Sequence, residues 1–270
     1  MIIDFHTHIF PDRIAEKTIS YLSEKGGIPP FSDGSELGLL EAMTRAGVDV
    51  SVTLPVVTNP SQFESINTYA EQINRRYGCA EGKRLISLGG IHPGCEDIEG
   101  KMHELHERGF LGVKIHPDYQ GRFINDDGYF RILQAAEQHG MIVVTHAGVD
   151  CGFPESPVRC TPERVLDLIS AVPHSRFVLA HMGGNELWEE VYEQLSGKDV
   201  YFDTAYLLRF IGKENFLKIL KKHGSDRILF ASDSPWSSME GDVRLLKEYV
   251  SDKEDLDRIY YKNAEALLGF

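Results

Sequence analysis

The chain is poor in cysteine, in basic charge and in long apolar runs. Its four cysteines, Cys79, Cys95, Cys151 and Cys160, form no CxxC pair in 270 residues. Neither a disulfide framework nor a cysteine-rich zinc module fits such a count, so reduced thiols and a cytoplasmic location are expected. Basic residues number 28 against 41 acidic ones, a formal net charge of -13. A surface of that sign repels phosphate backbones and anionic lipid, and no nucleic-acid partner is expected. No apolar run approaches the roughly 20 residues that cross a bilayer, and the first residues carry neither the basic nor the apolar region of a secretory leader. Neither membrane insertion nor export is therefore expected. A Ser/Pro/Gly tract dividing the chain is missing too, and residues 1–270 read as one domain.

What is present is ordinary globular material, 42% hydrophobic and 26% charged, enough to bury a core without staples. Eight short runs rich in Val, Ile, Leu or Phe recur along it: MIIDF, VDVSVTL, RLISLGG, LGVKI, MIVVT, RFVLA, VYFDT and RILFA. Segments with helical spacing lie between them, and Gly109, Gly140 and Gly224 stand where helices would close in a left-handed cap. Eight such units predict a (β/α)8 barrel of the TIM type, with an insertion and an extra helix after the first strand. An open doubly wound sheet would more often carry a glycine-rich phosphate loop after its first strand, and this first strand ends in histidines. KNAEALLGF reads as a closing helix that packs its leucines onto the barrel.

In a barrel all strands point their C-terminal ends to one face, so residues remote in sequence converge there. His6 and His8 end the first strand at i and i+2, the spacing that puts two side chains on one face. The other strand ends supply Lys114 and His116 (GVKIHP), His146 (VTHAG), His181 (LAHMGG) and Asp233 (FASDSPW). Imidazole and carboxylate together are the donor set of zinc and related divalent ions.

DFHTH, GVKIHP, THAG, AHMGG and ASDSPW, spread over nearly the whole chain, resemble the amidohydrolase superfamily of metal-dependent barrel enzymes. The resemblance is to its amidohydrolase-2 branch, which also holds decarboxylases similar to aminocarboxymuconate semialdehyde decarboxylase. It implies that His6, His8, His146 and Asp233 ligate a catalytic divalent metal, zinc in the first place and manganese as an alternative. His181 would be a catalytic histidine or a ligand to a second ion. One ion is the favoured reading; two would follow if Lys114 were carboxylated, whereas an unmodified Lys114 would be a cation aimed at an anionic substrate.

The implied reaction is hydrolysis of an amide, lactone or ester of a small molecule. Asp233 would take a proton from water and pass it to the leaving group, and His181 would polarise the carbonyl. The rival within enzymes is non-oxidative decarboxylation of a small unsaturated or aromatic acid by the same ligand set. PHP-type phosphoesterases and TatD-like nucleases also open with HxH, but the former need further acidic ligands and the latter usually a glutamate where this chain has Lys114. A barrel that only binds would be expected to have lost a ligand, and none is lost.

Further candidates are less central. Asp4 shares a strand face with His6 by simple alternation and is expected either to orient an imidazole or to cap a backbone group. Lys114, His116 and Arg159 are the candidates for binding or bridging substrate, with Arg209, His92 and Trp236 at the rim. His103, His106, His139, His174 and His223 fall on or beside helices, where a solvated role is expected. The expected partner is a small molecule, with a carboxylated one as an option. A homo-oligomer is allowed, though no stretch marks an interface.

Overall fold

The computed structural model describes residues 1–174 and 176–269. The apolar runs form β1 (Ile3–Thr7), β2 (Val50–Thr53), β3 (Arg84–Ser87), β4 (Gly89–Gly90), β5 (Gly112–Ile115), β6 (Ile142–Thr145), β7 (Phe177–Leu179), β8 (Tyr201–Asp203) and β9 (Ile228–Leu229). All pairings are parallel, in the orders β1-β2-β3 and β4-β5-β6-β7-β8-β9. Parallel strands require crossovers, and helices supply them, so the strands are covered on both faces and tolerate no exposed polar face.

The two sheets are parts of one wall. Only Leu88 separates β3 from β4, and its N–H still reaches the Thr53 carbonyl at 3.0 Å. At the opposite seam Phe5 N donates to Phe230 O (2.9 Å), Asp233 N to His6 O (2.9 Å) and His8 N to Ser234 O (2.7 Å), while Thr7 bridges Ser234 in parallel. First and last strands are thereby joined and the (β/α)8 barrel closes, its third strand in two pieces.

Two packing layers hold it. Val113, Ile115 and Val143 face helix residues such as Met102, Leu133 and Leu168, whereas Ile142, Val144, Val178 and Leu229 join Val52 and Leu88 in a separate, mainly strand-built core. Leu267 and Leu268 of the last helix (Asn263–Leu268) complete that second core, as the leucine pattern predicts. The insertion after β1 consists of two helices, Asp12–Gly26 and Glu36–Ala46. Gly140 closes the helix Asp127–His139 in the left-handed region. Gly109 lies one residue past its helix cap, and Gly224 has positive φ with an extended ψ. Among the described residues no helix is long and apolar enough to cross a membrane, and all four cysteines are free.

Candidate metal centre

The C-terminal ends of the strands gather the histidines into one buried file. His6 and His8 lie with ring centroids 5.0 Å apart, His6 and His181 5.6 Å, His181 and His146 4.7 Å, and His146 and His116 4.3 Å. Asp233 joins at the closing seam, where its backbone has φ 64, and His181 has φ 58. Non-glycine residues in that region are strained and cluster at functional sites; Asp and His are among those that adopt it more readily.

Hydrogen-bond partners fix which ring nitrogens carry protons. The Leu54 carbonyl can only accept, so His8 Nδ1, 2.9 Å away, is the donor. His6 Nδ1 donates to Asp203 Oδ2 at 2.8 Å. With one proton per ring, His6 Nε2 and His8 Nε2 both present lone pairs, and they face each other at 3.2 Å. Asp233 Oδ1 lies 3.5 and 3.2 Å from the same two atoms. These three donors lie within 4.8 Å of one another. Lone pairs and a carboxylate converging on one point repel unless a cation or a proton stands among them, so the residues fit a divalent ion. Burial and the nearby Lys114 hold His6 well below the ordinary histidine range, which favours the metal over the proton. Burial alone would raise the Asp233 carboxyl, but the neighbouring imidazoles of His6 and His8 outweigh it and hold it below the ordinary carboxylate range.

The hydrogen bonds continue along the file. Ala205 O accepts from His181 Nδ1 (2.9 Å), so His181 Nε2 is free to accept from His146 Nδ1 (2.9 Å). That leaves a lone pair on His146 Nε2, buried and without a partner. His146 belongs by distance to a second group with His116 and Asp150, again with donors within 4.8 Å of one another. Lys114 is 1% exposed, its Nζ 3.3 Å from His6 Nε2, and burial brings its ammonium down to about 8.

The structure shows the surroundings of the other sequence candidates. A register shift between Asp4 and Thr7 interrupts the alternation of β1, and of the two roles expected for Asp4 the backbone cap is the one found. Asp4 accepts from the backbone N–H groups of His6 (3.1 Å) and Ser232 (3.0 Å) and from the Ser232 hydroxyl. The residue that orients His6 is Asp203, whose Oδ1 also accepts from His181 N and Ala205 N at 2.9 and 3.0 Å. Sequence reading passed over it although VYFDT ends in a carboxylate at a strand end, the signal used for Asp233. Arg159 is directed to Asp118 at 3.4 Å, and Arg209 donates to the Trp236 carbonyl at 3.1 Å. His92 Nδ1 accepts from Gly94 N (2.9 Å). His103 and His106 are exposed, but His174 and His223 are buried, the first against Glu137 and the second stacked on Phe202 at 3.8 Å.

Comparisons with known proteins agree with this architecture. A family model described as Amidohydrolase matches residues 3–270. Among solved structures, the chain is similar to a 2,6-dihydroxybenzoate decarboxylase complexed with 2,6-dihydroxybenzoate, with a TM-score of 0.71 and 13% identity over 100% of this chain and 99% of that one. It is similar to a 5-carboxyvanillate decarboxylase from Novosphingobium aromaticivorans complexed with manganese and 4-hydroxy-3-methoxy-5-nitrobenzoic acid (TM-score 0.69, 14% identity, 100% and 96% covered). A TIM-barrel protein from Bordetella bronchiseptica gives a TM-score of 0.75 at 16% identity, over 99% of this chain and 98% of that one. At such identities the likeness is one of fold. No curated protein matches the chain.

Proposed function

Because this chain belongs to the amidohydrolase-2 family, we propose that it is a metal-dependent hydrolase that cleaves an amide, lactone or ester bond of a small molecule. The observation that carries the reading is the convergence of two imidazole lone pairs and an ionised carboxylate at His6, His8 and Asp233. His146, with its free Nε2, is the fourth donor. When bound, a divalent ion, zinc or manganese, supplies Lewis acidity that polarises a substrate oxygen and acidifies water.

The chain's own groups do the rest. Asp203 and Leu54 lock the outer nitrogens of His6 and His8, so both inner nitrogens stay aimed at one point. Asp233, held ionised, takes a proton from the attacking water and returns it to the leaving group. His181 Nε2 accepts from His146 Nδ1 and keeps that ring in its free-Nε2 tautomer. Lys114 places a buried amine beside His6, suited to a substrate carboxylate or, if carboxylated, to bridging two ions. His116 is the further substrate contact.

A second reading, non-oxidative decarboxylation of a small aromatic or unsaturated acid, draws support from the two decarboxylases of similar fold over essentially the full chain. Turnover of a panel of amides, lactones, esters and carboxylated aromatic acids in ¹⁸O-labelled water separates the two. Label in a carboxylate product marks hydrolysis, and release of carbon dioxide marks the lyase. His6→Ala and Asp233→Asn are expected to lose metal and at least about 10³-fold in rate under either reading, with circular dichroism unchanged. Asn tolerates the left-handed backbone at position 233, so that variant tests chemistry and not strain. Wild-type turnover in either variant refutes the assignment.

A further inference from the structure

The donors at the strand ends are closed off from solvent. The side chains of His6, His8 and Asp233 are 2%, 16% and 12% exposed, and His146 and His181 are buried. A small molecule reaches them only if something over the barrel mouth moves. The insertion after β1 crosses that mouth. Its first helix, Asp12–Gly26, has 15 residues, a length of about 22 Å. Lys25, in the last turn, places Nζ 3.5 Å from the centre of the Phe153 ring and 4.4 Å from that of Tyr119. Those rings meet edge to face, 4.9 Å apart, and Asp150 and Asp118 add their charge to the same corner. Tyr119 follows β5 and Phe153 follows β6, the fourth and fifth staves of the barrel, opposite the seam between β1 and β9. The chain then returns to that seam, where Phe31 N donates to Pro235 O (2.7 Å) and Phe10 N to Gly34 O (2.8 Å).

Little besides its far end holds this helix down. It packs broadly against no strand or other helix, and Ile19, one of its two buried residues, lies on the insertion's own returning segment at Gly34. Among the described residues Lys25 makes no ion pair, so ring faces hold its ammonium, a contact firm enough to close and weak enough to release. We propose that the helix Asp12–Gly26 is a lid over the barrel mouth, latched by Lys25 in the Tyr119–Phe153 corner, and that substrate enters when the latch opens. This rests on the reading that His6, His8 and Asp233 mark where a small molecule reacts.

Gly26 supplies a lock for the test. A Cβ there would stand 3.4 Å from Cys151 Sγ, and the backbone lies outside the left-handed region, so Gly26→Cys can pair with the native Cys151 across the closed lid. The measurement is diethyl pyrocarbonate labelling of His8 and His146 in chelator-stripped protein, read by peptide mass spectrometry, which needs neither metal nor substrate. Reduced Gly26→Cys is expected to label at the wild-type rate and the oxidised form at least about tenfold more slowly, with dithiothreitol restoring the rate. Lys25→Met, which keeps the stem and removes the charge, is expected to label about 2- to 30-fold faster than wild type. Equal rates in oxidised and reduced protein, or failure of positions 26 and 151 to cross-link, overturns the lid, and a wild-type rate in Lys25→Met overturns the latch. Zn²⁺ content of the reduced protein reads the metal assignment separately: absence of a bound ion counts against that assignment and leaves the labelling result standing.

Discussion

At the scale of single residues, the site depends on groups that never touch the reacting atoms. Asp203 is one of them: one of its oxygens receives the His6 ring and the other the backbone N–H groups of His181 and Ala205. Asp203→Asn is expected to let the His6 ring adopt the other tautomer, weakening metal affinity about 10- to 100-fold while the protein stays folded. Competition against a fluorescent zinc chelator measures it, and unaltered affinity would show that the contact is only structural. The candidate ligands His6, His8, His146 and Asp233 were legible in the sequence because each ends an apolar run. Which of its two expected roles Asp4 takes was not legible, because a register shift, unlike a strand, leaves no mark in residue spacing.

At the scale of elements, the eight strand runs were readable because both faces of a parallel strand are covered and the residues are apolar throughout. Helix-end histidines were not. His223 closes the helix Lys213–His223 in a sequence context that suggests solvent, yet its ring stacks on Phe202 of β8 and accepts from Gly197 N at 3.1 Å. Burial pushes its imidazole down to about 4. The neutral ring is at home in the fold, while below about pH 6.5 the unfolded chain takes up the proton first. Stability is therefore lost as pH falls from about 6.5 towards about 4, by up to about 3 kcal/mol from this one group. His223→Gln keeps an acceptor for Gly197 and removes the titration. Urea midpoints of the two proteins are expected to converge as pH falls from 7.5 to 4.5, and parallel curves would deny the linkage.

At the scale of the whole molecule, the proposed metal centre would act as a clasp, because its candidate donors His6, His8 and Asp233 come from β1, the residue after its end and the segment after β9. An ion that binds only the native arrangement stabilises it by about 2.7 kcal/mol at a hundredfold excess over its dissociation constant. At about 2–4 °C per kcal/mol for a chain of this size, chelation is expected to lower the melting temperature by about 5–11 °C. Calorimetry with and without a chelator checks it, and His6→Ala should abolish the difference. The seam has a further consequence for biosynthesis. Phe5, His6 and His8 leave the ribosome more than 220 residues before Phe230, Asp233 and Ser234, whose backbone groups pair with theirs. A chain interrupted before Asp233 would display two histidines without their carboxylate, so the proposed site is complete only once that seam is made.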